Sequence, residues 1–180
     1  MKKVLFILGE LSDADIEWMI RQGRRRTVQG ESVLVQEGKP IENLFIVLDG
    51  SFSIRVKAME NREIARIGAG EFIGEMSCID SRPPSATVTA IGDSNVLEIS
   101  RAGLMRKMSE DVGFAAHFYR AMAVFLSDRL RGTMQRMGYG ESATLDADKE
   151  YEDELDPALL DTIALAGARF DTILKRLRGL

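Results

Sequence analysis

"GEFIGEMSCIDSRPPSATVTA", residues 70–90, is the stretch on which the reading of this chain turns. Gly70 and Gly74 allow sharp turns or close backbone approach. A short helix beginning near Glu75 would aim free N–H groups into such a turn, and a nest of donors of that kind receives an anion. A carboxylate repels a phosphate, so Glu75 makes sense as an acceptor from the hydroxyls of a sugar beside it. The stretch closes on "SATVTA" (85–90), where Ala86, Val88 and Ala90 alternate with Ser85, Thr87 and Thr89, the period of a strand with one wet face.

Around this stretch the same pattern repeats. Between Gly30 and Ile99 the runs "SVLVQ", "NLFIVL", "SFSIRVK", "REIARI", "SATVTAI" and "NVLEI" are separated by glycine-bearing turns. Phe52, Ile54 and Val56 alternate with Ser51, Ser53, Arg55 and Lys57. Many short strands at close spacing predict an α+β chain built on an antiparallel β-roll or jelly roll over about residues 28–100, rather than a parallel α/β sheet.

Helices are expected on either side. Ser12 with Asp15 reads as a capping box opening a helix over 13–22, and the charge run "RQGRRR" (21–26) reads as a solvated loop. Ser100 is a candidate N-cap for "RAGLMRKMSE". Residues 112–137 predict one long helix, whose Phe114, Phe118, Phe125 and flanking Val112, Tyr119, Met122, Leu126, Leu130 and Met137 exceed what one small barrel covers. Such a face is suited to a helix shared between two subunits, a homodimer. The acidic run over 138–156 reads as a linker. Asp156-Pro157 then starts an amphipathic terminal helix over 157–180, with a stripe of Leu159, Ile163, Ala166, Phe170, Ile173, Leu174 and Leu177 to bury on this chain, its twin or a protein partner. The division expected is residues 1–137 as one domain, then linker, then helix.

Composition narrows the functions. The 180 residues are 45% hydrophobic and 29% charged, with a formal net charge of −4, which offers no general attraction to nucleic acid or anionic lipid. The opening "MKKVLFIL" is too short for a secretory signal and reads as an apolar segment packed on the domain. No run approaches a membrane span, so the expectation is a soluble, cytoplasmic protein. The lone Cys78 forms no internal disulfide and reads as a small buried hydrophobe. With one histidine, His117, on the long helix, no cupin-type metal set and no nucleophile-histidine-acid set is present, and no catalytic residue or metal site is expected.

Through "LFIVLDGSFSI" (44–54), Gly74-Glu75-Met76-Ser77 and "SATVTA", residues from about 30 to 137 resemble the cyclic nucleotide-binding domain of Crp/Fnr regulators, kinase regulatory subunits and cyclic nucleotide-gated channels. The resemblance implies that Glu75 binds a ribose 2′-hydroxyl, that Met76 and Ser77 N–H groups support the cyclic phosphate, with Gly74, Ser85, Ala86 and Thr87 around it, and that Thr133 on the long helix contacts the base. It also implies an arginine immediately before the Ser85-Ala86 pair, where this chain has Pro84. Arg82, two positions earlier, either turns away on polyproline geometry or folds back over the phosphate.

The implied function is a stand-alone sensor of cyclic AMP, cyclic GMP or a related phosphate ligand, signalling through its C-terminal helices. The alternative is a degenerate module acting as a scaffold for dimerisation or protein interaction. About forty residues after the long helix leave no room for a helix-turn-helix domain, so no nucleic-acid partner is expected.

Overall fold

The computed structural model describes residues 5–136 and 157–178. The acidic linker expected over 138–156, the cap at Asp156 and the side chain of Thr133 lie outside the described residues. Two N-terminal helices, α1 (Leu5–Glu10) and α2 (Asp13–Gln22), precede β1 (Arg24–Val28), β2 (Val33–Val35), β3 (Asn43–Asp49), β4 (Ser51–Val56), β5 (Arg62–Gly68) and β6 (Phe72–Ile73). The short α3 (Glu75–Asp80) leads to β7 (Thr87–Ala90) and β8 (Ser94–Ser100), followed by α4 (Arg101–Glu110), α5 (Val112–Arg136) and α6 (Pro157–Arg178).

The strands form two four-stranded sheets, β1-β8-β3-β6 and β2-β7-β4-β5, with every pairing antiparallel. The first sheet is covered on both faces, which explains why β3 is an unbroken apolar run. Leu44, Ile46 and Leu48 join Leu97, Ile99, Phe114 and Phe118 under the helices. Phe45 and Val47 face the roll interior with Val28, Phe52, Ile54, Val88 and Val96. In the second sheet only the inner face packs, so β4 alternates. Ser53 on its outer face is nevertheless buried, roofed by Arg55, whose Nε donates to Ser53 Oγ at 3.2 Å, while that hydroxyl donates to Glu63 at 2.8 Å.

Sequence periodicity placed six of these strands and missed two. The run at 24–26 is not a loop but the edge strand β1, paired in register with β8 from Arg24↔Glu98 to Val28↔Ser94. Its charges are accommodated because Glu98, reached by Arg24 at 3.2 Å and Arg26 at 3.6 Å, also accepts from Asn43 at 2.7 Å. β6 is too short, at two residues, to show a period.

The helices build one layer against the first sheet. α2 carries the expected capping box of Ser12 and Asp15, and Asp15 also holds His117 Nδ1 of α5 at 2.8 Å. Ser100 caps α4 through Gly103 N–H. α6 lies against α1 and α2 of the same chain: Ala166 and Ile173 are fully buried in the helix-side core, with Phe170, Leu174 and Leu177 packed on it. Burying an isoleucine such as Ile173 contributes about 1.5–3 kcal/mol. The stripe that had three possible destinations is thus turned onto its own chain, as far as its described side chains show. Arg169 fastens it, donating from Nη1 to the carbonyls of Leu8 at 2.9 Å and Gly9 at 3.0 Å, two of the groups that the end of α1 leaves without helical partners.

Candidate functional site

A cleft half-open to solvent lies between α3 with its leading turn and the segment entering β7. Its lining is Ile73, Gly74, Glu75, Met76 and Ser77 on one side, Pro84, Ser85 and Ala86 on the other, and Val35, Ile54, Ile67 and Val88 as an apolar floor. β6 positions the first wall. Phe72 drives into the helix-side core and Ile73 into the roll interior, so the chain emerges at Gly74 with both neighbours anchored. Gly74 is at φ +90°, a conformation that favours glycine, and a Cβ there would also stand 3.2 Å from the Asn43 carbonyl oxygen.

The second wall is held by its backbone. Gly38 N–H donates to the Pro84 carbonyl at 2.9 Å, and Glu37 N–H donates to Thr87 Oγ1 at 3.2 Å. The Thr87 hydroxyl therefore serves the loop after β2, and Thr87 does not line the cleft. Of the residues expected at the site, Gly74, Glu75, Met76, Ser77, Ser85 and Ala86 converge on the cleft. Arg82 does not. Its side chain is 84% exposed with Nε 3.8 Å from Asp80, and its N–H donates to Asp80 at 3.0 Å. Thr133 cannot be placed at the cleft, its side chain being outside the described residues.

The polar chemistry of the cleft rests on Glu75, 4% exposed, and Ser77, 3% exposed, with the Ser85 hydroxyl opposite. Among the described residues that line it there is no lysine, arginine or histidine. Beneath it, Cys78 is buried, and burial pushes its thiol up to about 11, with the Arg101 guanidinium pulling the other way and Glu75 adding to the rise. The cavity volume is about 60 Å³, room for a few water molecules.

One contact was not legible beforehand: Arg101, at the start of α4, donates from Nη2 to Ser81 Oγ at 2.6 Å. Ser81 ends α3 in the left-handed conformation, φ 60°. The wall of the cleft is thereby joined to the helical layer. The apolar floor was partly readable, since the alternation around Ile54 and Val88 already turned those side chains inward.

Comparison with known proteins adds three findings. Residues 25–111 match the family model described as "Cyclic nucleotide-binding domain". Over 112 residues the chain is 32% identical to a cyclic nucleotide-gated potassium channel of Mesorhizobium japonicum, covering 62% of this chain and 30% of the channel. It is 24% identical over 136 residues to the cAMP-activated global transcriptional regulator CRP of Escherichia coli, covering 73% of this chain and 63% of the regulator. The chain thus spans less than two thirds of the length of these relatives, which are a channel and a regulator rather than enzymes. In fold it is similar to a cyclic nucleotide-binding domain from Methylobacillus flagellatus, with a TM-score of 0.68, 23% identity and coverage of 78% of this chain and 85% of that one.

Proposed function

That residues 25–111 belong to the cyclic nucleotide-binding domain family is the premise from which we propose a non-enzymatic regulatory module, in which a nucleotide-type ligand enters the cleft and its arrival is passed to the helices. The observation that carries this reading is the convergence of Gly74–Ser77 and Pro84–Ala86 on one cleft with Glu75 buried at its side. Cyclic AMP and cyclic GMP are the first ligands to test.

The cleft supports a switch because the wall that α3 forms is tied at Ser81 to Arg101 of the helical layer. A ligand that spreads its walls displaces α3, and the Ser81–Arg101 bond ties that movement to α4 and hence to α5. The ligand shifts the equilibrium only by its preference for the spread state.

Output through a homodimer is supported by α5, where Val112, Tyr119 and Leu130 are exposed. Spacings of seven and eleven residues keep them within about 20° of one line on a helix. Packing that line against a second copy would cover it. Because α6 spends its apolar face on α1 and α2, its use toward a protein partner requires its release.

A second reading, a scaffold without ligand, is favoured by the missing cation in the cleft. Calorimetry of the whole chain with cyclic AMP and cyclic GMP, wild type beside Glu75→Ala, separates the two. Heat that Glu75→Ala abolishes supports the sensor. Absence of heat together with a dimer in sizing experiments supports the scaffold.

A further inference from the structure

We propose that the outer edge of β1 is a docking surface for an extended, acidic segment of a partner protein, which adds to the first sheet as a further strand.

β1 stands at the end of its sheet, beyond β8, and its residues from Arg24 to Thr27 are exposed. Along such an edge, alternate residues turn N–H and C=O groups outward, where another strand can pair with them. A bulge, a proline or charge usually blunts an edge of this kind. Here the pairing with β8 keeps one register from Arg24 to Val28, and the strand "RRRTV" has no proline. Charge alone guards it, and charge is selective. A second copy of β1 would set arginines against arginines, whereas an acidic strand meets them with the opposite sign.

The charges at this edge do not cancel. Arg24 and Arg26 share one carboxylate, Glu98, at 3.2 and 3.6 Å, and their side chains remain 81% and 45% exposed. Arg25 donates to the neutral Asn95, from Nε at 3.4 Å and from Nη2 at 3.3 Å, and Asp49 borders the same hollow. With Arg21 exposed in the last turn of α2 just before the strand, guanidiniums outnumber the carboxylates of Glu98 and Asp49. Arg176 and Glu17, on the neighbouring α6 and α2, pair with each other at 2.8 Å and leave that excess unchanged. The edge of the second sheet shows the contrast. In β5, Arg66 is held at 2.7 Å by Glu63 of its own strand, and the pairing with β4 shifts register.

Fluorescence anisotropy of the whole chain with a short labelled peptide alternating glutamate and threonine tests this. The peptide should bind, and hydrogen exchange should slow over residues 24–28. A peptide with glutamine for glutamate, and one of unchanged charge with proline for threonine, should each bind at least about tenfold more weakly. The double variant Arg24→Gln, Arg25→Gln should lose at least about tenfold, and Arg62→Gln on β5 should change nothing. Equal binding of the proline peptide overturns strand addition, and equal binding of the glutamine peptide overturns the part given to the arginines. Failure of the glutamate peptide to bind overturns the proposal, as does single-stranded DNA of matched charge bound as tightly. Binding that appears only when the acidic residues of 146–156 are changed to amides would make that run the occupant and overturn the partner.

Discussion

Gly38 N–H and the Pro84 carbonyl are hydrogen-bonded at 2.9 Å, so the residue that faces the cleft between its two walls is positioned through its oxygen. The ring nitrogen has no proton to offer, and nothing in the fold depends on one there. Replacing Pro84 by arginine therefore keeps the bond from Gly38. The expected cost is the added freedom of the unfolded chain, about 0.4–1 kcal/mol, read as a small fall in the urea midpoint at unchanged slope. A loss above about 2 kcal/mol would mean that the proline ring itself is a packing element.

Arg169 should govern the docking of α6. Its two bonds to carbonyls at the end of α1 are charge-assisted, and its side chain is 13% exposed. The pair with Asp13, itself 86% exposed, adds little. Arg169→Ala should destabilise the chain by about 1.5–3 kcal/mol, and amide exchange should rise in α6 while the strands keep their protection. Equal loss of protection in both would show that α6 and the roll unfold as one unit.

Acid sensitivity should centre on Asp15. Burial alone would raise its pKa, but hydrogen bonds from Ser12 and His117 outweigh that and hold the carboxyl below its ordinary value. A group depressed in the folded state adds stability above its unfolded pKa of about 3.9 and loses it as pH falls through the lower folded value. Asp15→Asn should cost about 0.5–2 kcal/mol at neutral pH, and the gap from wild type should narrow between about pH 5 and pH 3. Urea midpoints across that range measure it.

Cys78 should be inert while the chain is folded. Its thiol is 4% exposed and burial raises it to about 11, whereas the thiolate is the reactive form. A chromogenic disulfide reagent near pH 8 should react with it only after unfolding. Rapid reaction of the native chain would mean that α3 opens readily.

The roll was legible because its strands obey a period: "SFSIRVK" and "SATVTAI" announce which side chains turn inward. β1 was not, because three consecutive arginines look like solvent until Glu98, more than seventy residues later, is seen to receive two of them. The glycine turn and Glu75 could be read locally, since they lie within a few residues of each other. The direction of Arg82 could not, because the proline pair allows two courses and only the fold shows the side chain turned to Asp80 and solvent. Likewise α6 showed its apolar stripe in sequence, but its destination is set by Arg169 finding the end of α1, a contact across most of the chain.

The central claim is that the cleft between α3 and the start of β7 receives a ligand and reports it to the helices. Hydrogen-exchange mass spectrometry of Pro84→Arg with and without cyclic AMP tests it most directly, because the variant supplies the cation that the wild-type lining lacks. The account predicts new protection over residues 75–80 and 84–88, changed exchange in α4, and a much weaker response in the wild type. Unchanged exchange in these segments of the variant at millimolar cyclic AMP, or protection confined to another part of the chain, would contradict it.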